Sequence, residues 1–406
     1  MQTLLCRPKA THSVKAIFFR VLGGNFISNW TDRAVFIYLI WVVTKNESLF
    51  LLNVFICLSL LPHLLLLVPA SRVINKIGPI RACLFSDGIK FFIYAIAAIS
   101  CFFHYQIGYV DLLLISFFSN IGSAFFNPAA MSVPVFLSEA SMKRQKMIAL
   151  LTFSGSLSTM LGPILAMWFF YLSPDSWAII FIFSSFMYLV SALNNIQLKL
   201  SQHVIQDESI KISSVNLLRS YPDILWLLIC FLVINLVFMP IQLFIPLLVK
   251  AKFLAVGGYT LSLLEASIGF GAIVGILLLL FISKNQGNYV QLFRNFLIAA
   301  CGYLAFSFSI NMLGMMASLF ILGMFLAIGN ILTIHYYQQR ITIKSHTIMV
   351  MGFVNLISVS VGPIAMAISG IVISCMGLPA TLKMYAISMV VVSFGLLLTK
   401  FFQSKE

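Results

Sequence analysis

Twelve apolar stretches follow one another along the chain, at 16–43, 49–70, 82–103, 109–131, 147–172, 176–196, 223–249, 258–283, 291–309, 311–336, 346–374 and 379–402. Each is near the ~20 residues that a helix needs to cross a hydrocarbon core of ~30 Å. With no water in that core, the backbone must satisfy its own hydrogen bonds, which helices do and open strands do not. The polar breaks are short except for one. Lys199–Tyr221, which carries Gln206, Asp207, Glu208 and Ser209, parts six stretches from six. The expectation is an all-α integral membrane protein with twelve transmembrane helices in two pseudo-symmetric six-helix bundles, 1–198 and 222–406, joined by a cytoplasmic linker at 199–221.

A repeat supports the two halves. Phe153–Met167 reads FSGSLSTMLGPILAM, and Phe353–Ala367 reads FVNLISVSVGPIAMA. Phe153/Phe353, Ser158/Ser358, Gly162/Gly362, Pro163/Pro363 and Ile164/Ile364 coincide at one offset of about half the chain. The two copies fall on the fifth and eleventh spans. Each Gly-Pro pair is expected to kink its helix and shape the packing between halves rather than to bind substrate.

Composition agrees with the pattern. Hydrophobic residues make up 61%, charged residues only 9%, and mean hydropathy is +1.04. Water-soluble domains carry about 25% charged residues, so this supply covers no water-facing surface. The net charge of +14 does not indicate nucleic acid, because basic residues stand singly or in threes between apolar runs. With the N-terminus in the cytoplasm, nineteen Lys and Arg fall on cytoplasmic connections and only Lys45, Lys250, Lys252 and Lys383 outside, the bias expected of inner loops. Both termini are therefore expected inside. The N-terminal MQTLLCRPKATHSVK is short and basic, and no cleavable signal peptide is expected from it.

The seven cysteines are scattered without C-x-x-C spacing, and the histidines without ligand spacing; only His63 sits deep in a span. No G-x-x-x-x-G-K-[ST] occurs, and no nucleophile stands beside a base. The reading is no enzyme, no cofactor and no metal.

Of eleven acidic residues, three lie inside spans beyond the first turn: Asp32, Asp87 and Glu265. A charge at mid-bilayer costs at least ~2.5–3.5 kcal/mol, so each faces protein or a wet cavity. Asp32 lies some ~16 Å along the first span, near mid-depth. Asn25, Asn29 and Asp32 share one helical face, with Arg33 at its border. They line a cavity, or else Asp32 and Arg33 are neutralised by neighbouring helices. Glu265 lies in the outer third of the eighth span, near Gly269, Gly271 and Gly275. It is either a proton carrier or a carboxylate wetted from outside or paired with Lys250 or Lys252. Asp87 and Lys90, three residues apart beside Arg81, read first as a structural charge pair near the cytoplasmic edge. Asn235 and Gln242 share a face across a break at Pro240; Asn120, Ser123 and Asn127 do so on the fourth span, and Asn355 and Ser358 on the eleventh. These groups suit a cavity for amphipathic solutes, or bonds between helices. Tyr336, Tyr337, Gln338, Gln339 and Arg340 read as interfacial anchors.

Several motifs carry a resemblance. The connection between spans two and three, Ser71 to Arg81, is similar to the G-x-x-x-D-R-x-G-R-R loop of the major facilitator superfamily, matching at Gly78 and in the basic Lys76 and Arg81, with Asn75 at the acidic position. Ser28–Asp32, Ser86–Lys90, Gly122–Ala129 and Leu264–Gly271 resemble the drug and siderophore exporter branch, which includes macrolide efflux proteins and the enterobactin exporter. Asp32-Arg33-Ala34 and Gly88-Ile89-Lys90 are also similar to bacterial lysophospholipid flippases. The resemblance implies a monomer in a bacterial-type inner membrane, in contact with the lipid bilayer. It also implies export of a small amphipathic molecule in exchange for protons, with the halves rocking about a midplane cavity. It further implies an inner-gate role for Asp87, Lys90, Lys76 and Arg81. A lysophospholipid flippase, a siderophore or nutrient importer, and a non-transporting sensor or scaffold are the alternatives, because fold alone does not fix function.

Overall fold

The computed structural model describes residues 14–103, 107–137, 141–172, 177–196, 221–282, 289–340 and 361–403. All its regular elements are helical, with no strand among the described residues. The first six helices are α1 (Val14–Asn46), α2 (Leu49–Ile77), α3 (Pro79–Phe102), α4 (Tyr109–Leu137), α5 (Ser141–Leu172) and α6 (Trp177–Ile196). Then come α7 (Pro222–Phe238), α8 (Ile241–Phe253), α9 (Gly257–Ile282), α10 (Tyr289–Phe308) and α11 (Met312–Arg340). The last two are α12 (Val361–Met376) and α13 (Leu378–Gln403).

Each helix matches an apolar stretch, with one subdivision. The seventh stretch forms α7 and α8, parted by a turn at Met239–Pro240, because proline removes a ladder donor and clashes with the preceding turn. Nine segments are long and apolar enough to cross a membrane among the described residues, one of them, Pro222–Leu279, running through α7, α8 and α9. α1 has 33 residues but is not among the nine; Asn25, Asn29, Asp32 and Arg33 dilute its apolar content. The 199–221 linker, apart from Tyr221, lies outside the described residues, as do Phe353, Asn355 and Ser358 of the second repeat.

Local chemistry sets the helix ends. Ser48 caps α2 by accepting from the Leu51 amide at 3.3 Å. Gly78 alone separates α2 from α3, at φ 87°, a region that side chains with a Cβ avoid. Pro79 then starts α3 at the position where a missing N–H is harmless. This is why Gly78 is retained in a loop that otherwise departs from the superfamily pattern. Lys76 and Arg81 flank the turn, both exposed.

α1 packs on α5 and α6, α3 on α4 and α6, and α2 on α4. Further along the chain, α9 packs on α11, and α10 on α11 and α13. The principal contact between these two groups is α5 on α9. Gly269 of α9 makes it possible, since a Cβ there would meet the Met160 amide nitrogen at 2.6 Å. Large side chains such as Phe92, Ile96 and Phe102 point outward, the last 82% exposed, as suits a lipid-facing surface.

The groups also meet where α1 and α5 end and α9 begins. Gly257 lies flat against the Trp41 ring, and a Cβ at Gly258 would fall 2.8 Å from Phe170. Lys250 donates to the Glu47 carbonyl at 3.1 Å. Behind this seal runs an aromatic column. Phe170 stacks on Tyr38 at 4.9 Å, Trp177 meets Tyr38 edge-on, Trp177 stacks on Phe181, and Tyr94 packs on both Phe181 and Tyr188.

Candidate functional site

Tyr188, the last member of that column, donates its hydroxyl to Asp32 Oδ1 at 2.6 Å. Asp32 Oδ2 accepts from Lys90 Nζ at 2.7 Å and from Ser123 Oγ at 3.0 Å. Four helices thus converge on one carboxylate: α1, α3, α4 and α6. The Lys90 side chain has no exposure. Its stem lies over Gly122, where a Cβ would come within 2.9 Å of it. Its ammonium sits 5.3 Å and 5.2 Å from the Phe126 and Tyr188 ring centroids, a favourable setting for a desolvated cation.

The expected pairing of Asp87 with Lys90 does not form. Asp87, fully buried, accepts from Ser28 Oγ at 3.0 Å and from Ser191 Oγ at 2.6 Å. Lys90 reaches Asp87 only through Ser28, to which it donates at 3.3 Å. The short aspartate stays among the small residues where α1, α3 and α6 meet, whereas the long lysine extends to the next carboxyl. Ser28–Asp32, Ser86–Lys90 and Gly122-Ser123, distant in sequence, therefore build one network.

A cavity of about 210 Å³ opens beside Asp32. Its wall includes Asn29 and Arg33 from α1, His63 from α2, Tyr94 from α3 and Gln242 from α8. α4 supplies Asn120, Ser123 and Asn127, the face expected from their spacing. Phe36 and Leu60 add apolar surface. Two expected members are elsewhere. Asn25 is buried, and its Oδ1 accepts from Asn29 Nδ2 at 3.0 Å. Asn235 donates to the Phe231 carbonyl of its own helix at 2.7 Å. The turn at Met239–Pro240 breaks the helical register that was to align Asn235 with Gln242. His63 is an addition; its Nδ1 has no hydrogen-bond partner among the described residues. The one signal for it in the sequence is its isolation deep within an apolar run.

Glu265 is half-buried on α9 and pairs with neither expected lysine. Lys250 is held at Glu47, and Lys252 donates to the Ser309 carbonyl at 3.3 Å. No side-chain hydrogen bond or ion pair joins Glu265 to another described residue. The first Gly-Pro pair also differs from expectation. Gly162 meets the Arg33 Cβ and the α1 backbone within its own group of helices, and α5 continues through Pro163 as one helix. Gly362 and Pro363 do cross to the other group: Gly362 faces Leu60, and the Pro363 carbonyl accepts from Cys57 Sγ at 3.5 Å. Tyr336 and Tyr337, expected at the interface, are buried.

The sequence profile described as Major Facilitator Superfamily matches residues 21–365. No curated protein sequence matches the chain. Among solved structures, a POT family transporter, crystallised in complex with a thioalcohol-conjugated peptide, is similar with a TM-score of 0.71. The match covers 97% of this chain and 96% of that one at 13% identity, a likeness of fold.

Proposed function

The chain belongs to the Major Facilitator Superfamily and is a multi-pass membrane transporter, and from that premise we propose that it exports a small amphipathic solute in exchange for protons. The observation that carries this reading is the polar cavity among α1, α2, α4 and α8 with Asp32 on its wall. The halves 1–198 and 222–406 rock about that cavity, joined by 199–221. Both termini face the cytoplasm of a bacterial-type inner membrane, and the protein works as a monomer. In this orientation the Trp41–Gly257 seal lies on the outer side.

Asp32 is the first proton carrier and Glu265 the second. A proton on Asp32 removes the charge that holds Lys90. The ammonium then has Asp87 within reach through Ser28, so charge balance behind the cavity survives the discharge. The drug and siderophore branch remains the assignment for the solute, on the strength of the Ser28–Asp32, Ser86–Lys90 and Gly122–Ala129 motifs.

The test uses purified protein in liposomes loaded with a pH-sensitive dye and a panel of amphipathic dyes as solutes. Dye flux accompanied by opposite proton movement is expected, and Asp32→Asn or Glu265→Gln weakens it. Unchanged coupling in both variants overturns the assignment of carriers.

A further inference from the structure

The two charged side chains on the cavity wall differ in what they have left to offer. Asp32 already accepts from Lys90, Ser123 and Tyr188. Lys90, the source of its countercharge, is sealed behind the wall. Arg33 is the next residue on α1 and lines the same cavity, exposed. No hydrogen bond or ion pair joins Arg33 to another described residue. Its Cβ is pinned by Gly162, which fixes the root of the side chain and leaves the guanidinium to the cavity. Glu265 forms no ion pair with it and does not line the cavity.

A cationic guest would therefore meet a carboxylate that is already neutralised and an arginine that repels it. An anionic guest would meet a planar set of five unused donors, a geometry suited to carboxylate and phosphate oxygens. Phe36 and Leu60 on the same wall accept an apolar portion, and Asn29, His63 and Gln242 provide neutral polar contacts. We propose that the transported solute is an amphipath bearing a carboxylate or phosphate, whose anionic oxygens bind Arg33. This rests on the cavity being the transport site.

The experiment measures binding of four eight-carbon probes to the full chain in phosphatidylcholine nanodiscs, corrected with empty discs. The probes are octyl phosphate, octanoate, octyltrimethylammonium and octyl glucoside. At least one anion is expected to bind saturably and about tenfold or more tightly than the cation and the glucoside, as fits a charge-assisted contact. The stronger anion tells phosphate from carboxylate. Arg33→Gln reduces the preference to about threefold or less, whereas Arg33→Lys, which keeps the charge, retains most of it. The inference is overturned if the cation or the glucoside binds as well as both anions, if the preference survives in Arg33→Gln, or if neither anion binds saturably. Loss of proton coupling in the flux assay would leave this preference standing. Equal binding of all four probes would remove the preference and leave amphipath transport intact.

Discussion

Lys90 Nζ lies 2.7 Å from Asp32 Oδ2 across the α1–α3 contact, with the lysine fully buried and the aspartate at the edge of the cavity. The pair is therefore asymmetric. Asp32 can exchange with the cavity, and Lys90 cannot leave without stranding a carboxylate.

Replacing Lys90 with methionine keeps the volume and removes the charge. Stranding one member of a buried pair costs about 3–5 kcal/mol, so the variant unfolds at a markedly lower temperature in detergent. The double variant Lys90→Met with Asp32→Asn recovers more than half of the loss, because the members of one network are not additive. Thermal unfolding of the four proteins in the cycle checks this. An additive double variant would contradict the pairing.

Asp87 depends on hydroxyls alone. Asp87→Asn keeps one acceptor oxygen and offers a donor that a rotated hydroxyl can meet, so its cost stays at about 1 kcal/mol. Asp87→Ala removes the acceptor of Ser28, at about 1–3 kcal/mol, while Ser191 keeps the Gly24 carbonyl at 3.1 Å. Chemical unfolding of both variants should rank alanine well below asparagine.

Two glycines of α5 should respond in opposite directions to alanine. At Gly162 a Cβ collides with the Arg33 Cβ and the α1 backbone, and overpacking of this kind costs about 1–3 kcal/mol. At Gly155 a Cβ meets nothing within 4 Å, so alanine gains about 0.5–1 kcal/mol of helix stability. Melting temperatures of Gly162→Ala and Gly155→Ala, measured side by side, check the packing of α5 on α1.

The seal gives a conformational prediction. A Gly257→Val side chain would occupy the place of the Trp41 ring, disfavouring the closed arrangement of that end. Spin labels at the exposed Lys45 and Ala255 should show a longer distance distribution in the variant than in the parent. Identical distributions would mean that the contact does not hold this end shut.

Much of the fold was legible because a bilayer imposes a simple rule: apolar runs of one length must be helices. Gly78 was legible only as a match to a loop pattern; the structure supplies its local reason, a one-residue turn at φ 87°. The Asn120–Ser123–Asn127 face followed from helical spacing on one element. What spacing does not carry is the choice of partner between elements. Asp87 and Lys90 are neighbours on α3, yet a lysine is long enough to select a carboxyl on α1, and Gly122 of α4 made room for it. Asn235 went astray at the turn before Pro240, where the register of one helix stops applying to the next. Gly162 marks a close helix approach, as its repeat suggested, but which helix approaches is a property of the packed bundle.

The contact of Trp41 with Gly257 has an optical consequence. An indole pressed on a glycine and closed off by neighbouring helices emits at shorter wavelength than one in water. Separation of α1 from α9 would wet that ring and move its emission to the red. With Trp30, Trp168, Trp177 and Trp226 replaced by phenylalanine, the chain would carry one tryptophan, selectively excited at the red edge of protein absorption, at the seam of its two moving parts. The opening of that seam would then be visible in real time, in a single protein without an attached label.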